Sequence, residues 1–117
     1  MDLDGKISLV TGAGQGIGEG IAKVLAAHGS KVMLVDLNGD AAKKVSDQIN
    51  FNIPDATVSF QADLTDEVSI SAMIEFAHEK FNRLDCICNN AAASKGIGAV
   101  ENYALEDVQA TLDLTFT

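Results

Sequence analysis

The chain has 117 residues, enough for one domain at most, and a composition ordinary for a globular protein: 47% hydrophobic, 21% charged, one proline, no tryptophan. A net charge of −9 with no run of lysine or arginine argues against nucleic acid or an anionic membrane as partner. No apolar run is long enough to cross a bilayer, and the acidic start Met1-Asp2-Leu3-Asp4-Gly5-Lys6 is unlike a signal peptide.

Short β-branched runs alternate with runs of helical period. Residues 6–10 are the first expected strand, and 16–28 an expected helix with Ile17, Ile21, Val24, Leu25 and His28 at helical spacing, ended by Gly29. Lys31–Asp36 is nearly all apolar, as suits a strand covered on both faces. Asn38 or Gly39 then opens a helix with Ala42, Val45 and Ile49 on one side, broken at Pro54-Asp55, and Thr57–Gln61 is a third strand. Thr65 is the expected N-cap of a helix carrying Ile70, Met73, Ile74, Ala77 and Phe81. Residues 84–89 form a fourth strand, a loop rich in glycine and alanine follows, and another helix is expected from Leu105 onward. The alternation implies an α/β fold, a doubly wound Rossmann-type parallel sheet with right-handed crossovers, comprising four strands and the start of the following helix.

Cys86 and Cys88 stand two apart in an apolar run, which is neither a redox nor a zinc spacing. They read as small buried hydrophobes on one face of a strand, consistent with a reducing cytoplasm. His28 and His78 lack a second ligand-type residue at metal spacing, so no metal site is expected.

The first strand runs straight into Thr11-Gly12-Ala13-Gly14-Gln15-Gly16-Ile17-Gly18. Glycines there let the backbone turn sharply and approach a phosphate, towards which the helix behind directs its free N–H groups and positive dipole end. The spacing is Thr-Gly-x-x-x-Gly-x-Gly, on Gly12, Gly16 and Gly18; a Gly-x-Gly-x-x-Gly series does not occur, nor does Gly-Lys-Ser/Thr. Asp36 closes the second strand about twenty residues later, where a carboxylate accepts both hydroxyls of an adenosine ribose. A 2′-phosphate would be repelled there, and no arginine or lysine stands at Ala13, Gln15 or Leu37 to neutralise one, so NAD is favoured over NADP. Asp63-Leu64 and Asn89-Asn90-Ala91-Ala92 end the third and fourth strands, at the edge where ligands of such sheets lie.

In this order and at these separations, the four motifs resemble the short-chain dehydrogenase/reductase family of classical type, over essentially the whole chain. The resemblance implies that Gly12, Gly16 and Ile17, within the turn completed by Gly18, contact the pyrophosphate of NAD, and that Asp36 holds the adenosine ribose. It further implies that Asp63 and Leu64 hold the adenine and that Asn90 and Ala91 line the adenosine side, while Asn89 ties the sheet together. The intact enzyme would be a homo-oligomer, a dimer or tetramer, that moves hydride between nicotinamide C4 and the carbinol or carbonyl carbon of a small alcohol or ketone. Two departures stand out. Ala92 takes the place of a glycine usual in the family, and in the stretch 106–117, which resembles the family's helix bearing a catalytic asparagine, Thr115 falls at that place. A threonine hydroxyl is one donor where an amide offers two donors and a carbonyl, so either the proton relay differs or Asp113 is the matching position.

The family's chemistry uses a tyrosine with a lysine four residues on to lower its pKa. The single tyrosine here, Tyr103, is followed at that distance by Asp107, and Ser94-Lys95 reads as a solvated loop pair, so no residue is assigned to proton transfer. Residues 1–117 are therefore expected to be the N-terminal part of a nicotinamide-binding domain, inactive alone, marginally stable and prone to aggregate through the open edge of the fourth strand. Two alternatives are a non-catalytic dinucleotide-binding module and an S-adenosylmethionine methyltransferase. The second is disfavoured because no acidic residue precedes the glycine turn at Leu9-Val10-Thr11.

Overall fold

The computed structural model describes residues 2–90 and the strand at 112–115. In chain order the elements are β1 (Ile7–Thr11), α1 (Gly16–Ala27), β2 (Lys31–Asp36), α2 (Gly39–Asn52), β3 (Thr57–Gln61), α3 (Glu67–Phe81), β4 (Cys86–Asn89) and β5 (Leu112–Thr115). They build one sheet of order β3-β2-β1-β4-β5, parallel throughout. The chain winds outward from β1 to β3 and then crosses to the other side of β1, so the winding reverses between β1 and β4. That is the doubly wound arrangement, and the reversal opens a crevice at the carboxyl ends of those two strands.

The strands form where apolar runs can be covered on both faces. On one face, Val10, Val32, Leu34, Cys86 and Cys88 pack with Ala22, Ala26, Ala42, Val45 and Ile49 of α1 and α2. On the other, Leu9, Met33, Val35 and Ile87 pack with Ile70, Met73, Ile74 and Ala77 of α3. Burial of each large aliphatic side chain contributes roughly 1.5–3 kcal/mol. The two cysteines are buried on the same face of β4, as their spacing suggested. A polar staple joins α2 to β3: the Ser46 and Thr57 hydroxyls lie 2.6 Å apart, and the Asn50 side chain bonds both the Thr57 amide and its carbonyl.

Four expectations are corrected. The buried stripe of α1 is Gly18, Ala22 and Ala26, while Ile17 and Val24 are exposed and His28 caps the helix on its outer side. Small residues let α1 lie close on the sheet, and the larger ones are displaced to the flanks. The N-cap of α3 is Asp66, which accepts from the Val68 amide at 3.1 Å. Thr65 is diverted, because its amide and hydroxyl both donate to Asp63 Oδ1, at 2.9 and 2.6 Å. The helix expected from Leu105 onward is a strand over Leu112–Thr115, in register with β4 from Cys86 opposite Leu112 to Asn89 opposite Thr115. This β5 covers the edge of β4 that was expected to be open. Thr115 accordingly sits on a strand rather than on the helix of the family's asparagine. Ala91, Ala92, Ser94, Lys95, Tyr103 and Asp107 lie outside the described residues.

At the opposite end of the sheet, Asp85 is 8% exposed, accepts from the Ile7 amide at 2.8 Å through Oδ2 and receives the Arg83 guanidinium on Oδ1. Burial pushes its carboxyl up, but the Arg83 hydrogen bond, the Ile7 amide and the charges of Arg83 and Lys6 outweigh it and hold the group below the usual carboxylate range. A folded pKa below the unfolded one means that this stabilisation is complete above the ordinary value of 3.8 and is lost as pH falls through the folded value. Asp85→Ala leaves the buried Ile7 amide without its acceptor and is expected to destabilise by about 1–3 kcal/mol at pH 7. Urea denaturation at pH 7 and pH 3 checks it, the gap between variant and parent narrowing at the lower pH. A paired test concerns α1. A Cβ at Gly18 would run into the Gly12 carbonyl, whereas at Gly20 it meets nothing within 4 Å. Gly18→Ala is expected to destabilise by about 1–3 kcal/mol, and Gly20→Ala to stabilise by about 0.5–1 kcal/mol, both read by thermal denaturation.

Candidate cofactor-binding site

The glycine turn follows β1 because Gly12 and Gly16 hold φ values of +63° and +60°, a region closed to most side chains. Thr11, fully buried, anchors the turn to the neighbouring strand: its hydroxyl accepts from the Asn90 amide at 2.9 Å and donates to the Cys88 carbonyl at 3.4 Å. The Asn90 side-chain amide reaches the Gly12 carbonyl at 3.5 Å. The same carbonyl lies against Gly18, so the turn, the start of α1 and the end of β4 are packed backbone against backbone. Ala13 donates its amide to the Val35 carbonyl at 3.1 Å, which extends the turn across to β2.

Among the described residues, the N-termini of α1, α2 and α3 differ. Asn38 caps α2 by accepting from the Ala41 amide at 3.0 Å, and Asp66 caps α3. The residue at the N-cap of α1, Gln15, makes no side-chain cap bond. The first-turn amides of α1 therefore remain available to an anion, in the one helix that opens behind the glycine turn.

These elements enclose a cleft of about 530 Å³ at the carboxyl ends of the strands. Gly12, Gly16, Asp36, Asp63, Leu64 and Asn90 line it together. No atom lies within 4 Å of where a Gly16 Cβ would stand, so the turn there opens on free space. Ile17 and Gly18 are not among the lining residues. Ile17 has a side chain 69% exposed and stands in the first turn of α1, and Gly18 is a packing residue under the turn. Ala91 lies outside the described residues.

Asp36 is held from two sides: Oδ2 accepts the Gly14 amide at 2.8 Å and Oδ1 the Asn38 amide at 2.9 Å. Just beyond β3, Asp63 donates its backbone amide to the Ser69 hydroxyl oxygen, 2.8 Å away. The Thr65 hydroxyl, and next the Thr65 amide, hold the Asp63 carboxyl below the usual range, with burial opposing weakly. It remains an acceptor across the physiological range. Sequence reasoning missed Gln15, Val35, Leu37, Ala62 and Thr65 in the lining. Leu37 could have been found, since it follows Asp36 directly. It is 66% exposed and adds apolar surface to the lining of the cleft. Among the described residues no cluster of three metal-ligating side chains occurs, and no helix is long and apolar enough to cross a membrane.

A carboxylate with open acceptor positions, an uncapped helix end and a glycine turn around one cleft suit a ligand with a diol at one end of a phosphate group. Known proteins resemble the chain in sequence and in fold. The chain is 40% identical over 89 residues to 7alpha-hydroxysteroid dehydrogenase of Escherichia coli strain K12, a match covering 76% of this chain and 34% of that protein. It is 46% identical over 90 residues to versicolorin reductase of Emericella nidulans, again covering 76% and 34%. Among solved structures, 3-ketoacyl-(acyl-carrier-protein) reductase from Brucella melitensis, complexed with NADH, superposes with a TM-score of 0.83 at 30% identity, over 89% of this chain and 50% of that one. The chain thus spans about a third of these curated relatives and half of that structure. The family model for short chain dehydrogenases matches residues 6–117, and the chain belongs to that family.

Proposed function

We propose that this chain binds NAD(H) as the cofactor-binding part of an oxidoreductase acting on a small alcohol or ketone. The observation that carries the reading is the pinned carboxylate of Asp36, facing the same cleft as the glycine turn and Asp63. Bound nicotinamide dinucleotide would supply the hydride acceptor or donor. Gly12, Gly16 and the open amides of α1, including that of Ile17, would hold the pyrophosphate. Gly18 lets the helix come close enough to do so. Asp36 would accept the two hydroxyls of the adenosine ribose, and its charge disfavours a 2′-phosphate, with no lysine or arginine at Ala13, Gln15 or Leu37 to offset it. Asp63, kept ionised by Thr65, would take the adenine amino group, with Leu64 and Leu37 against the ring. Asn90 braces the adenosine side, and Ala91 follows it in the chain.

Proton transfer is assigned to no residue of residues 1–117, so binding without turnover is the proposed behaviour of this polypeptide. The alcohol or ketone substrate, a homo-oligomeric state and a cytoplasmic location are proposed for the active enzyme.

Titration of the 117-residue chain by NADH fluorescence tests the reading, with NADPH and S-adenosylmethionine as competitors. NADH is expected to bind more tightly than NADPH, and S-adenosylmethionine not to compete. Binding of S-adenosylmethionine alone would overturn the proposal. Asp36→Ala is expected to weaken NADH by about tenfold or more, with the loss of both charge-assisted ribose contacts, and to raise the affinity for NADPH relative to NADH.

A further inference from the structure

Gly14 differs from the glycines on either side of it. Gly12 and Gly16 are required by positive φ, whereas Gly14 is absent from the positive-φ glycines and has a backbone that an alanine could adopt. Space is what excludes a side chain there. A Cβ on Gly14 would stand 2.7 Å from the Ala41 Cβ, 2.8 Å from Asp36 Oδ2 and 3.2 Å from the Ala42 amide nitrogen. The same residue donates its amide to that Oδ2. Gly14 thus touches the Asp36 carboxylate twice, once as a donor and once through the hydrogen that stands where a methyl would be.

The count of acceptor positions gives the consequence. A carboxylate offers about four lone-pair sites, and here the Gly14 and Asn38 amides occupy one on each oxygen. The two that remain, one per oxygen, match the spacing of two vicinal hydroxyls. We infer that Gly14 is a specificity-determining position, whose amide and missing Cβ together fix the Asp36 carboxylate so that a cis-diol rather than a phosphate ester is accepted. The inference rests on the NAD(H) reading of the cleft. It assigns selectivity to a residue that contributes no side chain and whose backbone is already committed to Asp36.

An alanine at this position forces the carboxylate or the first turn of α2 aside and lengthens the pinning bond. The diol then loses its paired acceptors, while a 2′-phosphate, which never used them, loses little. The test is a set of fluorescence titrations with NADH and NADPH on the parent chain, on Gly14→Ala and on the double variant Gly14→Ala/Ala41→Gly. The double variant removes the 2.7 Å contact with Ala41 but keeps the one with Asp36. Circular dichroism establishes that each is folded. Gly14→Ala is expected to raise the NADH Kd about tenfold while moving the NADPH Kd by less than about threefold, and the double variant to behave alike. Equal losses for the two cofactors, unchanged affinities, or failure of both variants to fold would overturn the inference, since Gly14 would then be a structural residue only. A parent chain that prefers NADH, with variants whose ratio does not move, defeats the role of Gly14 alone. A parent chain that binds neither nucleotide defeats the cofactor reading itself.

Discussion

The carbonyl of Gly12 is where the architecture converges. Gly18 presses against it from α1, and the Asn90 side chain approaches it from the end of β4. None of the three segments can move without displacing the other two, because what separates them is backbone rather than side chain. Thr11, one residue earlier, locks the same junction with a hydroxyl that both accepts and donates across the β1–β4 boundary. The crevice at the reversal of winding is therefore rigid at its floor. A rigid floor is what a site built from amides needs, since an amide cannot reorient to follow a ligand.

The walls follow from a different constraint, the supply of acceptors. Asp36 and Asp63 end adjacent strands, and each is restrained by its own local partners, Gly14 and Asn38 for one, Thr65 for the other. The two carboxylates are thus presented in fixed orientations rather than as mobile surface charges. Leu37 and Leu64 supply apolar surface between and beside them. Floor, acceptors and apolar walls come from four different strand ends, and only the winding of the sheet brings them together.

Much of this was legible in the residues. The β-branched runs located β1 to β4 to within a residue or two, and Lys31–Asp36, apolar on both faces, marked the sheet's interior. The glycine turn, Asp36, Asp63 and Asn90 pointed to one edge. What misled was local. In α1 the periodicity of Ile17, Ile21, Val24 and Leu25 outweighed the quieter stripe of Gly18, Ala22 and Ala26, although close packing on a sheet favours small residues. Thr65 is a good cap by type, but its hydroxyl was claimed by Asp63, a competition between neighbours that residue preference alone does not resolve. The strand at Leu112–Thr115 alternates Leu-Asp-Leu-Thr, a period-two signal only four residues long and inside the stretch from Leu105 onward that was expected to be helical. The link between Gly14 and Asp36 was invisible for a plainer reason: it joins residues 22 positions apart, and one of them has no side chain to betray it.

The open N-terminus of α1 has a consequence for how any anion would reach the cleft. The chain carries a net charge of −9, so in dilute solution, where the Debye length reaches about 30 Å at 0.01 M, a phosphate-bearing ligand meets repulsion well before contact. Within the last few ångströms the sign reverses, because the uncapped amides of α1 present partial positive charge over a single helical turn. Approach and capture are governed by opposite fields. Ions in the medium screen the far field far more than the near one, so capture by such a cleft belongs to salted rather than to dilute solution, the inverse of a basic groove that draws its ligand in from afar.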